Sequence, residues 1–201
     1  MIKMFDLYLI KIQKKLSFFQ HCSYIRTKTF LTMNKVLYLV RHATAEEGGN
    51  SPIFRDFDRD LTSTGIIESA RMGKFLAATG VKFDLIISSA AERAKATAKI
   101  FAEQLNYDAD SILIDDTIYG GGPRSYISVV NNLDETVNVV AIFGHNPDVT
   151  FFSEYLTRAD IGGTMDKSGV VVLGFENIKW AEVSSKMAKF LGYYSPQNIS
   201  Q

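Results

Sequence analysis

"LYLVRHATAEE" (37–47) starts as an apolar run and ends on an Arg–His pair followed by small and acidic residues. Its first half, extended back to "KVLYLV" (35–40), carries the β-branched and large apolar residues of a strand buried on both faces. A cation and an imidazole do not belong inside such a strand. The strand therefore stops being buried at Val40, and Arg41 and His42 stand at its carboxyl end. The chain holds three histidines, so His42 is weighed as a core residue, a metal ligand or a nucleophile.

Working outward, further strands read at "FDLIISS" (83–89), "SILIDD" (111–116), "VNVVAIFG" (137–144), "GVVVLGFE" (169–176) and "AKFLGYY" (188–194). Helices are predicted over about 64–79, 91–105, 124–133 and 148–157. The first has Thr62 or Ser63 as N-cap, Ile66, Ala70, Gly73 and Ala77 along one face, and Gly80 to end it. Alternating strands and helices predict an α/β fold: a three-layer α/β/α sandwich with a mostly parallel central sheet. No helix separates the last two strands, so part of the sheet is expected to be antiparallel.

A length of 201 residues suits one well-buried domain. Lys+Arg and Asp+Glu balance at 22 each, so no global field points to nucleic acid or an anionic membrane. No apolar run reaches spanning length. The single cysteine, Cys22, forms neither an intramolecular disulfide nor a thiolate cluster, which fits a reducing compartment and a cytoplasmic protein. Residues 1–32 are Lys-rich and aromatic without a clear period, and read as an N-terminal extension or a mis-assigned start. The alternative is a short amphipathic helix through Leu9, Ile12 and Leu16. Met33 opens the α/β domain, 33–201, and His21 and Cys22 are expected to take no part in chemistry.

Three strands share one ending. The first delivers Arg41 and His42; the second delivers Ser88 and Ser89 with Arg93 in the next helical turn; the fourth delivers Gly144, His145 and Asn146. In open α/β sheets ligands gather beyond the carboxyl ends of strands, so two arginines and two histidines would converge on one crevice. Paired guanidiniums bind phosphate through forked hydrogen bonds. A neutral imidazole attacks phosphorus, and a second one, if protonated, stabilises the charge that develops. Two histidines flanked by arginines would repel a divalent cation, so neither metal nor cofactor is expected.

"LYLVRHATAE", "LIISSAAERAKATA" and "AIFGHNPD" together resemble the signature segments of the histidine phosphatase superfamily, the phosphoglycerate mutase-like fold. The resemblance runs from about residue 35 towards the C-terminus. It implies a phosphorylated nucleophile at His42, phosphate clamps at Arg41 and Arg93, and a second pocket histidine at His145. Arg59 in "DRDLTSTG" matches an arginine of the small bacterial branch typified by SixA, described as phosphohistidine phosphatases. Asn146 would orient His145 or form a turn before Pro147. The usual glycine after the nucleophile is here Ala43.

The acidic proton donor of mutase-like members has no clear match. "IDDTIYGGG" offers Asp115 and Asp116, and Asp148 is a further candidate with altered spacing. An alkoxide leaves poorly without an acid, whereas the imidazole of a phosphohistidine leaves well, so the gap favours P–N over P–O substrates. The expected partner is a phosphohistidine protein or a small phosphate ester. The alternatives are a small-molecule phosphomonoesterase on a sugar or nucleotide, and a phosphate- or phosphoprotein-binding module that has lost turnover.

Overall fold

A computed structural model describes residues 33–47 and 56–199. The expected extension, residues 1–32, lies outside the described residues. Six strands form one sheet: β1 (Lys35–Arg41), β2 (Leu85–Ser89), β3 (Leu113–Asp115), β4 (Val139–Gly144), β5 (Val170–Phe175) and β6 (Lys189–Tyr194). Their order across the sheet is β3-β2-β4-β1-β5-β6. β1, β4, β2 and β3 pair in parallel, while β5 runs antiparallel to both β1 and β6. The sheet is thus mostly parallel, with the expected antiparallel part confined to the end without a crossover helix.

Helices cover both faces: α1 (Ser63–Thr79), α2 (Glu92–Gln104), α3 (Gly122–Asn131) and α4 (Asp148–Leu156). The period-2 alternation of β1 divides its side chains between two cores. Val36, Tyr38 and Val40 pack with Met72 and Leu76 of α1 and with Ala98 and Phe101 of α2. Leu37 and Leu39 pack with Tyr126 and Val130 of α3 and with Phe152 and Leu156 of α4. Both faces of β1 are therefore buried, as its unbroken apolar run requires. Truncating Leu37 or Leu39, each fully buried, to Ala would remove about 2–5 kcal/mol of stability.

The predicted elements form, with corrections at edges and faces. Thr62 caps α1 by accepting from the Gly65 N–H, and Gly80 closes it at φ 73°. The buried face of α1 is Gly65, Ser69, Met72, Gly73 and Leu76, one position round from the predicted stripe, and Ile66 is exposed. Close approach sets this face. A Cβ on Gly65 would overlap the Thr44 carbonyl, and one on Gly73 would press on Gln104 of α2. Small residues bring α1 against its neighbours, and Ile66 is turned outward.

The strand expected over 111–116 shrinks to the three residues of β3, set between short 3-10 helices at Ala109–Ser111 and Asp116–Ile118. Asp108 and Asp115 cap those helices with their carboxylates, accepting from the Asp110 and Thr117 N–H groups, and the capped turns take Ser111 and Asp116 out of the strand.

Candidate active site

β4 lies between β1 and β2 with all three running the same way. Arg41 pairs with Gly144 and Ser88 with Phe143, so the three polar strand ends stand side by side. Backbone contacts fix them. The His42 N–H donates to the Gly144 carbonyl at 3.0 Å and the Ala43 N–H to Thr97 Oγ1 of α2 at 3.1 Å. The His145 N–H donates to the hydroxyl of buried Tyr126 at 3.1 Å. That hydroxyl comes so close to the strand that a Cβ at Gly144 would overlap it, which makes glycine obligatory before His145.

The two imidazoles face one another with ring centroids 5.2 Å apart, both nearly buried. His42 Nδ1 lies 2.7 Å from the Ala43 carbonyl oxygen. A carbonyl only accepts, so Nδ1 carries the proton and Nε2 keeps its lone pair. Arg93 Nε lies 3.3 Å from that Nε2. His145 Nε2 is 2.8 Å from Ser89 Oγ, while its Nδ1 has no partner.

Burial pushes the His42 imidazole down to about 3, against the Ala43 hydrogen bond and with the help of His145, Arg93 and Arg41. Burial and then the Arg93 charge push His145 down to about 4. Both rings are neutral near pH 7 in this arrangement. The nucleophile requirement is met at His42, and the protonated form expected of His145 is not the one the bare pocket favours.

Around the rings stand cations. Arg93, expected at a helix start, is buried, and its Nη1 and Nη2 donate to the Asp56 carbonyl at 2.6 Å and carboxylate at 2.9 Å. Arg41 donates from Nη1 to the Met165 carbonyl at 2.6 Å, and its buried Nε has no partner. Arg59 bonds the Glu46 carbonyl and pairs with Asp56 at 2.7 Å, joining the cluster through that carboxylate. Asn146 donates to the same Met165 carbonyl as Arg41 and accepts from Thr150, so it ties the Arg41 anchor to α4.

Two residues of this cluster carried no signal in the sequence. Asp56 sits in a short 3-10 helix (Asp56–Asp58) inside a charged loop that reads as a solvated face. It touches Arg93, Arg59 and the Tyr119 hydroxyl, which donates to it at 2.8 Å. Burial opposes the effect, but the Tyr119 hydrogen bond and the charges of Arg93 and Arg59 hold its carboxyl below the ordinary range. Tyr119 meets His145 edge-on at 5.4 Å and lies under the Arg93 guanidinium at 5.8 Å. The strong turn signal of the glycines beside it marks the place, and nothing in the sequence pairs it with a loop some sixty positions earlier.

The candidate donors fall elsewhere. Asp115 accepts from Thr117 N and Oγ1 as a helix cap, and Asp116 is exposed. Neither shares a hydrogen bond or ion pair with His42, His145, Arg41 or Arg93. Asp148 begins α4, where burial raises its pKa against a hydrogen bond from the Gly122 backbone. Among the described residues no group of three or more His, Cys, Asp or Glu side chains is arranged to hold a metal ion, and no helix is long and apolar enough to cross a membrane.

The sequence pattern of the histidine phosphatase superfamily (branch 1) matches residues 37–116. An uncharacterized protein of Mycobacterium tuberculosis (strain H37Rv) is 28% identical over 153 residues, spanning 71% of this chain and 92% of that protein. A crystal structure from Agrobacterium tumefaciens, provisionally described as the phosphohistidine phosphatase SixA, superposes with a TM-score of 0.67 at 26% identity, covering 81% of this chain and 99% of that one. A mycobacterial glucosyl-3-phosphoglycerate phosphatase shares the fold with a TM-score of 0.57 at 14% identity, over 78% of this chain and 96% of its own. The matched segment holds Arg41, His42 and Arg93, and the fold brings His145 to them: sequence pattern and fold together support a phosphatase of the histidine phosphatase superfamily, SixA-like.

Proposed function

We propose that this protein moves a phosphoryl group from phosphohistidine in a protein to Nε2 of His42, and from there to water. One observation carries the reading: the Ala43 carbonyl takes the Nδ1 proton of His42, leaving the Nε2 lone pair beside a buried guanidinium. A nucleophile set next to a phosphate-binding cation needs little further preparation. Arg93 and Arg41 bind the equatorial oxygens, with Arg59 at the rim. His145 donates a ring N–H to the charge that develops on them. Asn146 positions Arg41 through the shared Met165 carbonyl. Residues 33–201 act as the phosphatase domain, in the cytoplasm, without metal or cofactor.

The small-molecule phosphomonoesterase is the second reading, favoured by the likeness in fold to a glucosyl-3-phosphoglycerate phosphatase. A panel separates the two: a phosphohistidine protein, sugar phosphates and nucleotides, each assayed with EDTA. The phosphohistidine substrate is expected to give the highest kcat/KM. Faster turnover of a sugar phosphate or nucleotide would transfer the assignment to the second reading. No hydrolysis of any substrate, even an activated aryl phosphate, would leave a phosphate-binding module.

A further inference from the structure

We propose that Asp56 is the general acid of this site, and that arrival of the phosphoryl group on Arg93 is what arms it. The proposal rests on the His42 phosphatase reading and supplies the acid that Asp115 and Asp116 are not placed to be. The Arg93 guanidinium spans the distance between nucleophile and acid. Its Nε faces His42 Nε2 at 3.3 Å, and its Nη2 faces Asp56 Oδ2 at 2.9 Å. In-line displacement sets nucleophile and leaving atom on opposite sides of phosphorus. A phosphoryl group lying along Arg93 with phosphorus towards His42 therefore turns its leaving atom towards Asp56. The Asp56 side chain is about half exposed, at 54%, so a substrate can reach it.

Three groups face this carboxylate: Arg93 from α2, Arg59 from its own loop and Tyr119 from the turn before α3. His145 lies behind Tyr119. In the bare pocket the two cations keep Asp56 ionised. A phosphoryl dianion takes over the Arg93 donors and adds negative charge beside the carboxylate, and both changes favour its protonated form. Arg59 keeps its ion pair with Oδ1 and Tyr119 its hydrogen bond to Oδ2, so the proton sits on Oδ2, at the lone pair that Arg93 gives up. The bond from His42 Nε2 to phosphorus then forms as the bond to the leaving atom breaks, and the Asp56 proton passes to that atom, an imidazole nitrogen in phosphohistidine or an oxygen in an ester. In the second half the Asp56 carboxylate takes a proton from the attacking water. The P–Nε2 bond breaks, and inorganic phosphate and the protonated acid are restored.

The test is a series of aryl phosphates of rising leaving-group pKa, from 2,4-dinitrophenyl to phenyl phosphate, on wild type and Asp56→Asn. Wild type should depend weakly on the leaving group. D56N should lose about 10²–10³-fold in kcat/KM on phenyl phosphate and no more than about threefold on the dinitrophenyl ester. Wild type alone gives a second readout: an alkaline limb in kcat, which reports the substrate-bound enzyme, for phenyl phosphate that is absent for the dinitrophenyl ester. A uniform loss across the series would overturn the proposal and make Asp56 a residue that merely aligns Arg93, and so would unchanged activity throughout. Label on His42 from the dinitrophenyl ester, trapped by an alkaline quench that preserves the P–N bond, should appear in both proteins. Its absence from wild type would sink the His42 reading itself, whereas label with a uniform loss sinks only the role of Asp56.

Discussion

β1 carries a cation at each end, Lys35 buried and Arg41 half-buried, and the two are treated in opposite ways. Lys35 at its start is buried and fully engaged: Nζ lies 2.9 Å from the Glu135 carboxylate, 3.3 Å from its carbonyl oxygen and 5.0 Å from the centre of the Trp180 ring. Arg41 at its finish has one hydrogen bond, to Met165, and a buried Nε with no partner. His145 beside it leaves Nδ1 unmatched. Buried polar groups are normally satisfied, because an unsatisfied one costs about 1–3 kcal/mol. One end of the strand is closed; the other is open to an anion. The difference between structure and function here lies in hydrogen bonds left unmade, since both ends carry a cation.

The largest effect should come from the open end. His42→Ala removes the lone pair proposed to attack phosphorus, and turnover should fall by about 10⁴-fold or more while phosphoenzyme disappears from alkali-quenched samples. Labelled protein in that variant would show that another group is the nucleophile. Arg93→Lys tests the forked cation next. A lysine keeps the charge but supplies neither the Nε beside His42 nor the paired Nη atoms, so kcat/KM should drop by about 10²-fold. An unchanged kcat/KM would mean that the guanidinium does not hold the phosphoryl group.

How much of this was legible in the sequence follows from the range over which each signal acts. β1, β2, β4 and β5 are continuous apolar runs whose polar endings name His42, Arg93 and His145 directly, and the parallel order of β2, β4 and β1 does the rest. β3 was overdrawn because its edge position shortens the ladder, and local capping by Asp108 and Asp115 competes for the backbone. The stripe of α1 was misread because hydrophobic periodicity counts Ile66 and discounts Gly65, whereas close packing rewards the glycine. Asp56 and Tyr119 were illegible for a different reason. Their meeting depends on two loops arriving over one pocket, and no spacing along the chain encodes that.

The same contrast predicts how stability varies with pH. In the unfolded chain each imidazole takes up a proton near 6.5, whereas the folded pocket delays His42 to about 3 and His145 to about 4. The unfolded state therefore binds more protons below pH 6.5. The contribution of these two rings is fully present above that value and falls as the pH drops towards 4, by about 1.4 kcal/mol per pH unit for each ring. Urea midpoints of wild type and His42→Asn at pH 7 and pH 5 measure it. The variant should lose less between the two conditions, and equal losses would mean that His42 is not held neutral by the fold.

The smallest effect is expected at the closed end, and it is the one that would break the contrast. Lys35→Met keeps the apolar stem against Trp180 and removes only the ammonium. Its partner Glu135 has a side chain 47% exposed, so the carboxylate left behind is solvated rather than stranded. The cost should be about 1 kcal/mol in urea denaturation. The kcat/KM should stay at the wild-type level. Six consecutive residues, Val36 to Arg41, lie in unbroken register with β4 between that site and the pocket, and a change at the first leaves the positions of the last to its neighbours. A tenfold fall in activity would show that the strand transmits strain from one end to the other, and that the buried cation at its start belongs to the active site after all.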